Sequence, residues 1–133
     1  MSWLNGVRVV LGSSSKFRQS MAVPVFGVSC DLLAPDIDEK AIRCDNPDEL
    51  VISIAEAKAD AVLQKIGETK EPVIIVTGDQ VIDYEGQILE KPETKEEARK
   101  FIAGYRKSPP ITVSGICVIH TGTKQKRSGV SRW

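Results

Sequence analysis

The chain has 133 residues, with 18 lysines and arginines against 18 aspartates and glutamates, and it is 27% charged and 41% hydrophobic. That is the make-up of one ordinary globular domain, long enough to bury a core without disulfide or metal staples. The even charge excludes a whole-molecule field that would recruit nucleic acid or an acidic membrane, so any anion must be held by a local group.

Cys30, Cys44 and Cys117 are odd in number and lack metal-type spacing, which reads as free thiols in a reducing compartment and places the chain in the cytoplasm. Trp3 and the run Val7 to Leu11 come without a basic segment and a long apolar stretch, so no signal peptide is expected. No run approaches the ~18 apolar residues of a membrane span.

In chain order, β-branched Val7 to Leu11 predicts a buried first strand, broken by Gly12-Ser13-Ser14-Ser15. Lys16 to Ala22 can form a short helix with a serine cap, and Phe26 to Leu33 a second strand closed by Ala34-Pro35-Asp36. Asn46-Pro47-Asp48-Glu49 is a strong helix start, with Gly67 as its stop. Val73 to Val76 predicts a central strand, and Val81 to Tyr84 with Gln87 to Leu89 a hairpin around Glu85-Gly86. Thr94 to Glu97 caps a second helix ending near Gly104, and Ile111 to Ile119 predicts a long strand. Alternating strands and helices make this an α/β chain, a mixed sheet with flanking helices. Residues 1–120 are expected to be one domain, and residues 121–133 a basic, disordered tail, since Lys124, Lys126, Arg127 and Arg132 come with no apolar period.

Three groups could carry chemistry. Backbone N–H groups after the first strand, with Lys16 and Arg18, could cradle phosphate; an ordinary serine-rich cap would look the same. Lys58 interrupts the apolar stripe Val51, Ile54, Ala55, Ala61, Val62, so it must snorkel, pair with an acid or face a cleft. Asp36, Asp38 and Glu39, and Asp79 beyond the strand Val73 to Val76, stand where α/β sheets place their sites and could share a divalent ion, or could be turn residues. Lys91 before Pro92 is a further base. His120 reads as structural or exposed, and no nucleophile elbow supports a serine hydrolase.

Five segments, taken in order and spacing, resemble the Maf family. They are Leu11 to Arg18, Pro35 to Glu39, Ala55 to Ala59, Gly78 to Val81 and Leu89 to Pro92, against the family forms L-A-S-x-S-x-x-R, D-E, A-x-x-K-A, G-x-D-x-V and G-K-P. Gly12 stands in place of the family's alanine, a change expected to be harmless. The resemblance implies the fold of the inosine triphosphate pyrophosphatases, two lobes around a mixed sheet with a nucleotide cleft between them. It implies hydrolysis of a nucleoside triphosphate to the monophosphate and pyrophosphate with a divalent cation, Mg2+ or Mn2+. On that likeness Ser13, Ser15 and Arg18 hold phosphates, Glu39 and Asp79 hold the metal, Lys58 and Lys91 neutralise the triphosphate, and Asp79 takes the proton of the attacking water.

Phe17 and Gln80 bear on the base, because family members acting on 7-methyl-GTP carry an aromatic and a glutamine there. A methylated guanine is cationic and is drawn to an aromatic face by about 0.5–2 kcal/mol. Gln80 can pair with a base edge through its donor and acceptor. The expected substrate is 7-methyl-GTP, with dTTP or UTP the alternative. After Ile119 the family continues with strands, a helix and base-contacting residues that are not found here, so the second lobe is expected to be truncated. A competing reading follows: a non-catalytic nucleotide-binding protein, or a homodimer formed through the open sheet edge. Neither nucleic acid nor membrane is expected as a partner.

Overall fold

Alternation of apolar residues along Val73 to Tyr84 and Ile111 to His120 builds two long strands that share the centre of the molecule. The computed structural model describes residues 8–13, 30–68, 70–90 and 92–133. In chain order these form β1 (Arg8–Gly12), β2 (Cys30–Leu32), a single 3-10 turn (Glu39–Ala41), α1 (Pro47–Ile66), β3 (Val73–Tyr84), β4 (Gln87–Leu89), α2 (Lys95–Tyr105), β5 (Ile111–His120) and β6 (Gln125–Arg132). The sheet order is β2-β1-β3-β5-β6, with β4 also on β3. β1 runs parallel to β2 and β3, and all other pairings are antiparallel. The mixed α/β sheet is thus as expected. The helix expected over Lys16 to Ala22 and the start of the second strand lie outside the described residues.

α1 forms where its caps say it should. The Asn46 side chain accepts from the Asp48 and Glu49 N–H groups, Pro47 sits at the first turn, and Gly67 closes the helix at φ 70°. Its apolar stripe covers one face of the sheet in two clusters. Ala55, Ala59 and Val62 meet Val10, Val73, Ile75, Cys117 and Ile119, while Leu50, Val51 and Ile54 meet Val81 and Val113. Between these clusters the facing rungs are polar. Lys58 lies there on the helix, with Thr77 and Asp79 on β3.

Close approach is possible because of glycine. A Cβ at Gly115 would stand 2.7 Å from the Val51 carbonyl carbon and oxygen, so only glycine lets α1 lie this low on β5. Gly12 fits its surroundings, in keeping with the expectation that glycine is harmless there. An alanine there would place Cβ 2.7 Å from the Thr77 and Val62 methyl groups, so the residue is fitted to its neighbours and not interchangeable.

Two expectations change. Val73 to Val76 and Val81 to Tyr84 are one unbroken strand, so Asp79 lies within β3 and not beyond its end. The hairpin at Glu85-Gly86 stands, with both residues at positive φ (50° and 84°), as a two-residue turn needs. The segment expected to be a disordered tail is largely β6, paired with β5 from Val113↔Arg132 to His120↔Gln125. Its lack of apolar period has a physical cause, for it is held by charge. Lys126 pairs with Asp60 at 2.9 Å, Ser128 donates to Glu56 at 2.9 Å, and Arg132 pairs with Asp48 and Asp83. Val130 alone adds apolar packing against the core. His120 is structural as expected, its Nδ1 accepting from the Thr123 N–H at 3.1 Å.

Among the described residues, no helix is long and apolar enough to cross a membrane.

Candidate active site

The register of β3 decides where a site can form. One edge of β3 is filled along its length by β5, from Ile74 to Asp83. The other edge is shared. β1 pairs with it as far as Gly12↔Thr77, and β4 resumes at Leu89↔Ile82. No described strand pairs with this edge between Gly78 and Val81. β1 points up into that gap and β4 points down into it, so Ser13 and Glu90, the residues following each strand, both arrive there. The opening beyond the end of a parallel strand is the usual ligand position in α/β sheets. A cleft of about 740 Å³ lies here, lined by Ser13, Glu39, Lys40, Arg43, Lys58, Asp79, Gln80, Ile88, Glu90 and Glu93 among others.

Lys58 forms its floor. The residue is only 7% exposed, yet its ammonium is richly partnered. Nζ lies 2.8 Å from Glu39 Oε1 and 3.6 Å from Asp79 Oδ1, and donates to the Gly78 carbonyl oxygen at 3.1 Å. An unpaired ammonium at this depth would cost several kcal/mol, whereas two carboxylates and a carbonyl satisfy it. Of the three outcomes open to Lys58, pairing with acids inside a cleft is the one found.

Each partner has a local reason for its place. Asp79 shares the α1-facing side of β3 with Ile75, Thr77 and Val81 by two-residue alternation, so a carboxylate replaces an apolar residue on the covered face. Glu39 begins the 3-10 turn, and the segment leading to it is tied to α1 by Lys65. That lysine donates to the Ala34 carbonyl oxygen at 2.7 Å and pairs with Asp36, which takes φ 52°. Asp36 is therefore directed to Lys65. Of the acids Asp36, Asp38 and Glu39, Glu39 is the one ion-paired with Lys58.

The far walls carry two cross-cleft ion pairs that sequence reading missed. Arg43 Nη1 lies 2.5 Å from Glu90 Oε1, and Lys40 Nζ lies 2.5 Å from Glu93 Oε1. The hydrogen bond and charge of Lys40 hold the Glu93 carboxyl below its ordinary range, and Glu93 raises Lys40 in return. These residues sit in exposed turns, where no periodicity marks which way a side chain points. The nearest signal was the crowding of charge in Asp38-Glu39-Lys40 and Arg43.

Ser13 is buried at the end of β1 and lines the cleft, as does Gln80. Ser15, Phe17, Arg18 and Lys91 lie outside the described residues. Among the described residues, no three His, Cys, Asp or Glu side chains group as a metal site. Glu39 and Asp79, two hard oxygen donors meeting at one ammonium, still suit magnesium, which commonly takes one or two carboxylates and completes its shell with water and substrate phosphate.

The sequence profile of the Maf-like protein family matches residues 8–132. The chain belongs to the Maf-like family. A 7-methyl-GTP pyrophosphatase of Dictyostelium discoideum is 37% identical over 119 residues, covering 86% of this chain and 60% of that relative. Another 7-methyl-GTP pyrophosphatase, of Idiomarina loihiensis, is 35% identical over 117 residues, with 88% and 58% covered. A dTTP/UTP pyrophosphatase of Caldicellulosiruptor saccharolyticus is 29% identical over 118 residues, with 89% and 59% covered. This Maf-like chain thus spans about three-fifths of the length of the curated relatives it matches.

Its fold is that of the nucleotide pyrophosphatases related to the inosine triphosphate enzymes. A nucleoside-triphosphatase / dITP/XTP pyrophosphatase of Mycobacterium abscessus superimposes with a TM-score of 0.51 at 11% identity, covering 96% of this chain and 72% of that one. A HAM1 protein of Coxiella burnetii gives 0.50 at 12%, with 95% and 71% covered. At such identities the likeness concerns the fold alone.

Proposed function

We propose that this Maf-like chain hydrolyses a nucleoside triphosphate, 7-methyl-GTP foremost, to the monophosphate and pyrophosphate. The observation that carries the proposal is the convergence of Glu39 and Asp79 on the Lys58 ammonium at the floor of the cleft. In this reading Asp79 accepts a proton from water as the water oxygen bonds to the α-phosphorus. The bond from the α-phosphorus to the bridging oxygen breaks, and pyrophosphate leaves with the electron pair. Lys58 offsets the charge of the phosphates nearest the floor, with Lys91 expected to do so from the other side. Ser13, with Ser15 and Arg18, would hold phosphate oxygens. A divalent cation, Mg2+ or Mn2+, would be held by Glu39 and Asp79 and would supply neutralisation of the phosphate charge.

For the base, Gln80 in the cleft lining supports pairing with a purine edge, and Phe17 would offer a face to a cationic methylguanine. The 7-methyl-GTP pyrophosphatases among the relatives support the same choice. A dTTP or UTP substrate is the second reading, favoured by the relative of that kind at 29% identity. Cytoplasmic residence is part of the proposal, supported by the free thiols of Cys44 and Cys117.

The test is pyrophosphate release from a panel of triphosphates with Mg2+ or Mn2+. We expect 7-methyl-GTP to lead, and Asp79→Asn to lose at least about 100-fold in kcat with its fold retained. No release from any triphosphate by folded protein would end the proposal.

A further inference from the structure

Glu90 follows β4 directly and lines the cleft with a carboxylate that the proposed chemistry leaves unused. β4 delivers that carboxylate into the gap on β3, where it meets Arg43 from the opposite wall at 2.5 Å. Lys40 and Glu93 make a second bridge beside it. Both pairs are well exposed, the Arg43 and Glu90 side chains at 52% and 42% and those of Lys40 and Glu93 at 70% and 67%. Exposed pairs of this kind hold weakly and exchange readily. They are poor struts, and they lie within the cleft lining.

The charge count sharpens the point. The described lining has the acids Glu39, Asp79, Glu90 and Glu93 against the cations Lys40, Arg43 and Lys58. Among the described residues, therefore, Arg43 and Lys40 can add their full charge to a triphosphate only if their carboxylate partners give way. Lys58 cannot be freed cheaply, since it is buried between its partners. Arg43 and Lys40 can be, and a guanidinium fork matches phosphate oxygens at least as well as it matches a carboxylate.

We propose that Arg43 and Lys40 bind the substrate triphosphate, and that Glu90 and Glu93 are exchangeable stand-ins for its oxygens that let go as the nucleotide arrives. This rests on the pyrophosphatase reading and extends it to residues that reading did not use. The exchange favours a polyphosphate that can replace both carboxylates at once. A monophosphate product replaces one at most, so the re-formed bridge assists its departure.

The experiment measures binding of inorganic tripolyphosphate by titration calorimetry at low salt, beside KM and kcat for pyrophosphate release. It compares the whole chain with Arg43→Ala, Lys40→Ala and Glu90→Gln. Arg43→Ala is expected to weaken tripolyphosphate about ten-fold and to raise KM similarly, with a smaller change in kcat, and Lys40→Ala to act in the same direction. Glu90→Gln is expected to tighten binding about two- to five-fold, the worth of an exposed pair. A merely structural bridge would show no tightening. Unchanged or weaker binding in Glu90→Gln, or unchanged binding in Arg43→Ala, overturns the inference while pyrophosphate release by the parent chain stands. Arg43-dependent tripolyphosphate binding without release from any nucleotide supports the inference and overturns the pyrophosphatase reading instead.

Discussion

The Thr77 hydroxyl donates to the Ala55 carbonyl oxygen across 2.6 Å of buried space, and this bond sets the height of α1 on β3. Lys58 is one helical turn beyond Ala55, and Asp79 is the next same-face residue after Thr77. The same contact therefore fixes how far Lys58 stands from Asp79. Thr77→Val keeps the shape and removes the donor. It is expected to lower stability by about 1 kcal/mol and kcat for pyrophosphate release by about ten-fold, with little change in KM. Thr77→Ser, which keeps the hydroxyl, should recover most of the rate. Equal rates in both variants would count against a positioning role.

Packing at Gly115 and Gly12 offers a graded pair. At Gly115 the obstacle is the Val51 backbone, which cannot turn aside, whereas at Gly12 it is one methyl group each of buried Thr77 and Val62, side-chain atoms rather than backbone. Gly115→Ala should therefore cost about 3 kcal/mol, the upper end for overpacking, and Gly12→Ala about 1 kcal/mol. Urea denaturation of both proteins checks the order.

Cys117 predicts a pH dependence. Burial, aided by the charge of Glu56, pushes its thiol from 9.0 up to about 11. Below pH 9 the thiol is protonated whether the chain is folded or not, and its contribution is fully present. From pH 9 to about 11 the unfolded thiol ionises first, so stability falls as pH rises. Cys117→Ala is less stable throughout but lacks this component, so the gap between the two proteins should narrow from pH 8 to pH 11. A gap constant over that range would refute the assignment. In native protein at pH 8, half-buried Cys44 should be alkylated well before Cys117.

The last strand makes a testable contrast with a disordered end. Amides of β6 bonded to β5 should exchange slowly with solvent, and this protection should weaken in ~1 M salt, which screens Lys126–Asp60 and the Arg132 pairs. The β3–β5 amides, covered by apolar packing, should respond far less.

Legibility in the sequence followed the kind of force at work. α1 could be read almost to the residue, because Asn46, Pro47 and Gly67 act locally, and Lys58 was conspicuous because it broke an apolar stripe. Asp79 was found, but its place inside a strand was not. Thr77-Gly78 looks like an interruption, and only pairing with β5 across Thr77↔Cys117 and Gly78↔Ile116 makes the strand continuous. β6 escaped notice because ion pairs to Asp60 and Asp48 and a hydrogen bond to Glu56, all on α1, do the holding, and partners that distant have no local signature. Arg43 and Lys40 were missed for the same reason, their partners being brought near only by the β4 hairpin.

The divided edge of β3 has a consequence for how the molecule assembles. β5 and β6 form a hairpin, β5 returns to β3 across β4 and α2, and α1 meets β3 over a short span at Ala55 and Thr77, so these contacts close shorter loops than β1 does. β1 must return across the whole of β2 and α1 to reach Val73, a longer closure and a slower one. Ser13 rides on that late strand. Refolding followed by pulsed exchange should thus show an early species with helix and antiparallel ribbon protected and β1 still open. Such a species would have folded most of its mass while the cleft beside Ser13 was still one wall short.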